Sequence, residues 1–162
     1  MEEVVAVRHG AVRSVVVAGS LVLGVAGAAQ AQGGGPVADV AYHGQVVLSR
    51  GHLRVWMVPE NEGPAALPDV TVRLRLSAEL ADRQELADGC VRAGMRDVVC
   101  GTGPLPMQGQ GRHIGLAMDL REWVPEVVVR VDTSWNGGAA DRNLSNNEHV
   151  VLALDTGDAY VF

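Results

Sequence analysis

Hydrophobic and polar residues alternate along several short segments of this chain. The clearest is 70–76, in which valine and leucine alternate with threonine and arginine. This period of two predicts a β-strand with one buried face and one exposed face. The same pattern predicts further strands at 46–48, 53–58, 114–118, 127–131 and 150–154.

Turn residues separate these segments, and one stretch has a different character. Glycine and proline cluster at 101–106 and 109–111 and again at Gly137-Gly138, which is typical of loops. Only 78–86 (AELADRQEL) favours a helix, of one or two turns. Many short strands without alternating helices predict an antiparallel β-sandwich.

The first 31 residues have the composition of an export signal. Two arginines, Arg8 and Arg13, precede an uncharged apolar run at 15–29, and Ala29-Gln30-Ala31 provides a small-x-small cleavage pattern. We predict a signal peptide at 1–31, a flexible leader at 32–41 and one domain at 42–162. The alternative is an uncleaved amphipathic or membrane-anchor helix.

Charge and cysteine content narrow the functional classes. Removing 1–31 takes away two arginines and two glutamates, so the net charge stays at −6. An acidic chain without a basic block is not expected to bind nucleic acid or anionic membranes. An even cysteine count in an exported protein favours a Cys90–Cys100 disulfide. Two free thiols and half of a metal site remain alternatives.

Five patches carry a resemblance to a known family. In order they are 61–64 (NEGP), 68–72 (PDVTV), the cysteine pair within 89–100, 103–105 (GPL) and 141–147 (DRNLSNN). Together they resemble the immunoglobulin-like repeat of bacterial and archaeal extracellular surface proteins, of the conserved-repeat or cell-adhesion-related type. The resemblance implies an immunoglobulin-like sandwich of about seven strands that serves as a spacer, stalk or adhesive module rather than an enzyme.

The candidate partner-binding residues are Trp135 and Asn136. Trp135, followed by Asn136, falls in an apparent loop, where an exposed indole is a natural anchor for a protein or sugar. The alternative is that its ring caps the open end of the sandwich. Trp56 is expected on the polar face of its strand, opposite Leu53, Val55 and Met57.

Oxygen-bearing side chains crowd the region after 131. A weak calcium site is conceivable there, since Ca²⁺ takes six to eight oxygen ligands, although the EF-hand pattern is absent. The candidate ligands are Asp132, Asp141, Asn143, Asn146 and Asn147. Turn-forming hydrogen bonds are the simpler explanation. The histidines His43, His52, His113 and His149 lack close metal spacing and are expected on the surface.

No catalytic motif stands out. Ser49, Ser77, Ser134 and Ser145 lack a nucleophile-elbow context. We therefore expect a secreted, non-catalytic structural or interaction module without a cofactor, which binds an extracellular protein or glycan through its loops. The alternatives are a secreted hydrolase and a small protease inhibitor with a reactive loop at 107–111.

Overall fold

The fold is an all-β sandwich. The structure, a computed structural model, describes residues 35–162. Within that range the strands are β1 (Val37–Ala38), β2 (Val40–Ser49), β3 (His52–Asn61), β4 (Thr71–Leu76), β5 (Cys90–Arg92), β6 (Asp97–Gly101), β7 (Gly109–Gln110), β8 (Ile114–Asp119), β9 (Glu126–Trp135), β10 (Ala140–Asp141), β11 (His149–Leu154) and β12 (Ala159–Val161). Seven of these strands have five or more residues.

Two sheets face each other. One has the order β11-β9-β4-β6-β5, and the other has β12-β2-β3-β8 with β7 pairing the far end of β3. All pairs in both sheets are antiparallel. The predicted sandwich is thus confirmed. Each predicted strand is present, and 46–48 forms part of a ten-residue strand.

The core lies between the two sheets and is built from aliphatic residues. Strand β4 buries Val72, Leu74 and Leu76, while β8 buries Ile114, Leu116 and Met118. β-Branched and aliphatic side chains pack well on a pleated surface, and alternation leaves the polar partners outside. Each fully buried side chain of this size contributes about 1.5–3 kcal/mol relative to exposure.

The two cysteines form the predicted disulfide. Cys90 in β5 lies directly opposite Cys100 in β6, and both side chains are buried. Gly101 N–H donates to Gly89 O at 2.9 Å, which makes Cys90–Cys100 a non-hydrogen-bonded pair. Such pairs bring opposite Cα atoms closest together, and the separation here is 4.0 Å.

The predicted helix at 78–86 is wrong. Leu80 is fully buried and bridges Leu120, while Glu85 bridges Ala117 on the edge of β8. The guanidinium of Arg92 donates to the carbonyl oxygens of Leu80 and Ala81. A nine-residue helix is only marginally stable alone, so these tertiary contacts outweigh the local preference.

The flexible leader predicted at 32–41 is also wrong in its second half. Val37 and Ala38 pair with Ala140 and Asp141, and Val40 is fully buried in β2. The partners of these residues lie about a hundred positions further along the chain, where local sequence gives no indication of them. The predicted signal peptide at 1–31 and the start of the leader lie outside the described residues.

One buried asparagine joins three segments beside β1. Asn61 Oδ1 accepts from Gly63 N–H at 3.0 Å and from Asp39 N–H at 3.4 Å. Its Nδ2 donates to Ala65 O at 2.8 Å and to Pro106 O at 3.2 Å.

Nowhere in 35–162 is there a helix long and apolar enough to cross a bilayer.

Candidate functional site

The outer face of β2, β3 and β8 carries an exposed tryptophan, and we call this surface the Trp56 face. Trp56 lies in the middle of β3, between Gln45 on β2 and Gly115 on β8. Its side chain points away from the core, as predicted, and is 45% exposed. A Cβ placed on Gly115 would meet nothing within 4 Å. The indole therefore borders open space on the β8 side.

Neighbouring side chains hold the indole and shape its surroundings. The ring of His113 packs edge-on against Trp56, with 5.3 Å between centroids and an interplanar angle of 80°. Edge-to-face packing of this kind contributes about 0.5–1.5 kcal/mol beyond burial. A shallow groove of about 740 Å³ runs beside the ring and is lined in part by Gln45, Arg54 and Gly115.

A second groove continues from Arg54 and Ala117 towards the β2–β3 turn. It has a volume of about 1210 Å³ and is walled on one side by residues 82–85. Gln84 fixes that wall to β8, since it accepts from Asp119 N–H at 3.0 Å and donates to Asp119 O at 2.8 Å. The turn itself has two residues, Arg50 and Gly51, with φ of 54° and 79°, which is typical of a tight hairpin.

The second groove is lined by equal numbers of arginine and carboxylate side chains. They are the guanidinium groups of Arg50, Arg54 and Arg83 and the carboxylates of Asp82, Glu85 and Asp119. Asp82 pairs with Arg121 at 2.6 Å, and Asp119 pairs with His52 at 2.5 Å. Arg54 forms no ion pair with any residue in the described range. The groove offers donors and acceptors in comparable number, which suits a neutral polar ligand better than a strongly charged one.

The predicted loop position of Trp135 is wrong. Trp135 is the last residue of β9 and pairs with Thr71 after a register shift that leaves Ser134 as an extra residue. Bulges of this kind redirect the side chains around them. The indole is 49% exposed, so it is not buried as a cap. Asn136 Nδ2 donates to Ala139 O at 2.6 Å and thereby closes the following turn.

The calcium candidates are divided between two sets of contacts. Asp132 accepts from Arg73 at 3.0 and 3.2 Å and from Arg75 at 2.7 Å. Hydrogen bonding to Asp132 raises the pKa of Arg73. Asp141 instead accepts from Val40 N–H and Asn147 Nδ2, both at 2.9 Å. Asp132 therefore belongs to a cluster with Arg73 and Arg75. It is separate from the loop at 141–147, which we call the asparagine loop.

The asparagine loop is bonded to Asp39, which lies between β1 and β2. Asn143 and Asn146 donate through Nδ2 to the carboxylate of Asp39, at 3.3 and 2.8 Å. Asn147, 2% exposed, and Asn146 each keep a buried Oδ1 without a hydrogen-bond partner. No group of three or more His, Cys, Asp or Glu side chains within 35–162 is arranged to hold a metal ion. The bonds to Asp39 join segments more than a hundred positions apart and so differ from the predicted turn-forming bonds, whereas Asn143 N–H, which donates to Asp141 Oδ1 at 3.0 Å, is a local bond of the predicted kind.

The four histidines were expected on the surface, and none of them is buried. His43 and His52 are exposed, His113 packs on Trp56, and His149 packs on Phe162 with a centroid distance of 5.0 Å. Ser49 lies opposite His52 across the hairpin. Its Oγ makes no hydrogen bond to His52 or to any other described side chain.

The loop proposed for protease inhibition is held against β3. Gly109 and Gln110 pair with Asn61 and Glu60, and Gln108 N–H donates to Gly63 O at 3.3 Å. Met107 projects from this loop and is exposed. The loop backbone thus forms part of the sheet edge instead of an isolated protruding segment.

Sequence reasoning recognised that Trp56 faces outward but did not identify its surroundings. The missed residues are Gln45, Arg54, Gly115 and the wall at 82–85. Gly115 was visible as a glycine inside a predicted strand, where glycine often marks a bulge, a bend or a close approach by a ligand or another backbone. Its position opposite Trp56, however, depends on the register of β3 with β8.

Comparisons with known proteins find no match. No model of a protein family, no curated protein and no solved structure matches this chain. The resemblance to immunoglobulin-like repeats therefore stays a prediction.

Proposed function

We propose that this protein is a non-catalytic, extracellular binding module of the immunoglobulin-like type that holds a glycan on the Trp56 face. The observation that carries the proposal is the position of Trp56. Its indole is exposed in the middle of a rigid strand and borders open space above Gly115. Burying an aromatic ring gives a large apolar gain, so an isolated exposed indole beside a groove is a natural anchor.

A sugar ring fits this arrangement chemically. A pyranose has an apolar face of C–H groups and a rim of hydroxyl groups. The indole provides the apolar surface, while Gln45 and Arg54 line the groove next to it. A glutamine amide both donates and accepts, and an arginine guanidinium donates in a planar fork. These groups match the alternating hydroxyls at the rim of a sugar.

The balance of charges supports a neutral glycan over an acidic one. Three guanidinium groups and three carboxylates line the larger groove. A uronic or sulfated chain would bring its charge close to Glu85 and Asp119 as well as to the arginines. A neutral chain avoids that repulsion and uses both signs for hydrogen bonding.

The disulfide supports the extracellular part of the proposal. Cys90 and Cys100 are bonded, and stable disulfides are typical of oxidising compartments outside the cytosol. The non-catalytic part is supported by the exposure of His52 and Asp119, whose side chains are 64% and 61% accessible. A pair so open to water lacks the enclosure that strengthens catalytic electrostatics.

The test is a binding measurement on a panel of soluble neutral and anionic polysaccharides. Affinity electrophoresis ranks them, and titration calorimetry measures the best one. Trp56→Ala should weaken binding by about tenfold or more, as expected for the loss of an aromatic anchor. Trp123→Ala removes another exposed tryptophan and should leave binding unchanged.

Gly115→Val provides a second variant with an independent effect. It fills the space beside Trp56 while favouring the strand conformation, so folding stability should hold while binding falls. Equal binding by the wild type, Trp56→Ala and Gly115→Val would refute the Trp56 face as the site. Loss of binding in Trp135→Ala alone would place the site at Trp135, the partner-binding residue that the sequence predicted.

A further inference from the structure

The edge strand β11 exposes an uncharged apolar row. The side chains of Val150, Leu152 and Leu154 are 39–62% exposed on the outer face, whereas Val151 and Ala153 point into the core. Val128 lies beside Leu152 on β9 and extends the row inward. No charged side chain interrupts β11 between His149 and Asp155.

The backbone of the same three residues faces away from the sheet. Asp155 N–H donates to Pro125 O at 2.8 Å, which fixes the alternation of the ladder between β11 and β9. Residues 149, 151 and 153 therefore bond to β9, and residues 150, 152 and 154 direct their N–H and C=O groups outward. One of these outward carbonyls, that of Leu154, also accepts from Thr156 N–H at 2.8 Å. The N–H groups of these three residues donate to no other backbone group in the described range.

Other edges of the two sheets are protected. The edge of β8 is covered by the segment that bridges Leu120 and Ala117. Strands β5 and β12 have only three residues each. Native proteins protect exposed edges with short strands, charges or covering segments. Within 35–162, β11, with six residues, has none of these.

We propose that two copies of this chain pair through β11, in antiparallel orientation about a two-fold axis at Leu152. Isologous two-fold dimers are the most common oligomers, because one surface serves both partners. The pairing joins the two sheets that contain β11 into one continuous sheet. The Trp56 face lies on the other sheet and stays open in both copies, so this inference does not depend on the proposed function.

The order of residues along β11 selects this register. With Leu152 opposite itself, Val150 lies opposite Leu154 of the second copy and all three exposed apolar residues find apolar partners. Glu148 then lies opposite Thr156, so no like charges oppose each other. A shift by two residues places Glu148 opposite Leu154 or Val150 opposite Thr156, and only two apolar pairs remain.

Charges on the neighbouring strand agree with the same symmetry. Arg130 lies beside Val150, and Glu126 lies beside Leu154. In the dimer, each row across the interface runs from Arg130 through Val150 and Leu154 to Glu126 of the second copy. Opposite charges thus flank each row, three strand spacings or about 14 Å apart at the backbone.

Light scattering coupled to size-exclusion chromatography tests the proposal on the full-length chain over a range of concentrations. We expect a mass of two chains that falls to one on dilution. Leu152→Arg places like charges at the axis and should give one chain throughout. Val91→Arg changes an exposed residue at the opposite edge of the same sheet and should keep the dimer.

Single cysteines test the register independently. At Leu152 the opposing Cα atoms would be about 5.5 Å apart, within the range that a disulfide bridges. Leu152→Cys should therefore cross-link two chains under mild oxidation. Val150→Cys should not, because its copies would lie about 14 Å apart along the strand. A single-chain mass at all concentrations, or equal cross-linking by both variants, would overturn the proposal.

Discussion

The buried side chain of Asn61 should contribute substantially to the free energy of unfolding. It is fully buried and makes four hydrogen bonds, to Asp39, Gly63, Ala65 and Pro106. Asn61→Ala removes all four and leaves two backbone N–H groups and two carbonyls without these partners. A buried hydrogen bond contributes about 1 kcal/mol net, so the loss should be about 3–4 kcal/mol.

Urea unfolding followed by tryptophan fluorescence measures this loss directly. A decrease of that size should lower the melting temperature by roughly 10 °C for a domain of this length. Asn143→Ala is the matched control, since Asn143 is exposed and holds Asp39 only at 3.3 and 3.5 Å. The control should change stability by less than about 0.5 kcal/mol.

If Asn61→Ala loses no more than the Asn143 control, the four contacts do not hold β1, the 62–65 turn and the Pro106 segment together. A change in the slope of unfolding against urea, rather than in its midpoint, would indicate an altered denatured state instead.

Two further predictions concern stability. Tyr42 is buried, which raises the pKa of its hydroxyl, and it hydrogen-bonds to Thr133 Oγ1 at 2.7 Å. Above about pH 10 the unfolded chain releases this proton and the folded chain keeps it, so the contribution of the hydroxyl to stability falls as pH rises. Tyr42→Phe should therefore be less stable than wild type by about 1 kcal/mol at pH 7, and the gap in unfolding free energy should shrink above pH 10; a constant gap would contradict this. Replacing Cys90 and Cys100 together with alanine should cost about 2.7 kcal/mol on the chain-entropy estimate for their separation, measured as a shift in the urea midpoint, and an unchanged midpoint would refute it.

The strands were predictable because their information is local. In β4 and β8 every second residue is aliphatic and the residues between are polar or small, so the period alone identifies the buried face. The disulfide was predictable because the chain contains two cysteines, which leaves one possible pairing within it.

The errors share a physical cause, which is a partner far away in sequence. The segment 78–86 has helical composition, yet Arg92 and the edge of β8 hold it extended. Val40 follows a glycine-rich stretch, yet its N–H is bound by Asp141 across 101 residues. The surroundings of Trp56 were missed for the same reason, because the space beside the indole depends on the register of β3 with β8.

The pairing of β1 with β10 has a consequence for the order of folding. Strand pairs β2–β3 and β5–β6 join neighbours through short turns and can form as soon as both strands are present. Strand β1 finds nearby backbone partners on one side only, where Ala65 N–H donates to Val37 O at 3.1 Å. Its strand partner at 140–141 comes about a hundred residues later, as does Asn146, which binds Asp39. Non-local contacts of this kind form slowly. A chain that emerges from its amino-terminal end therefore holds β1 on one side only until residues 140–146 have been made, and these late residues complete the sheet that β1 begins.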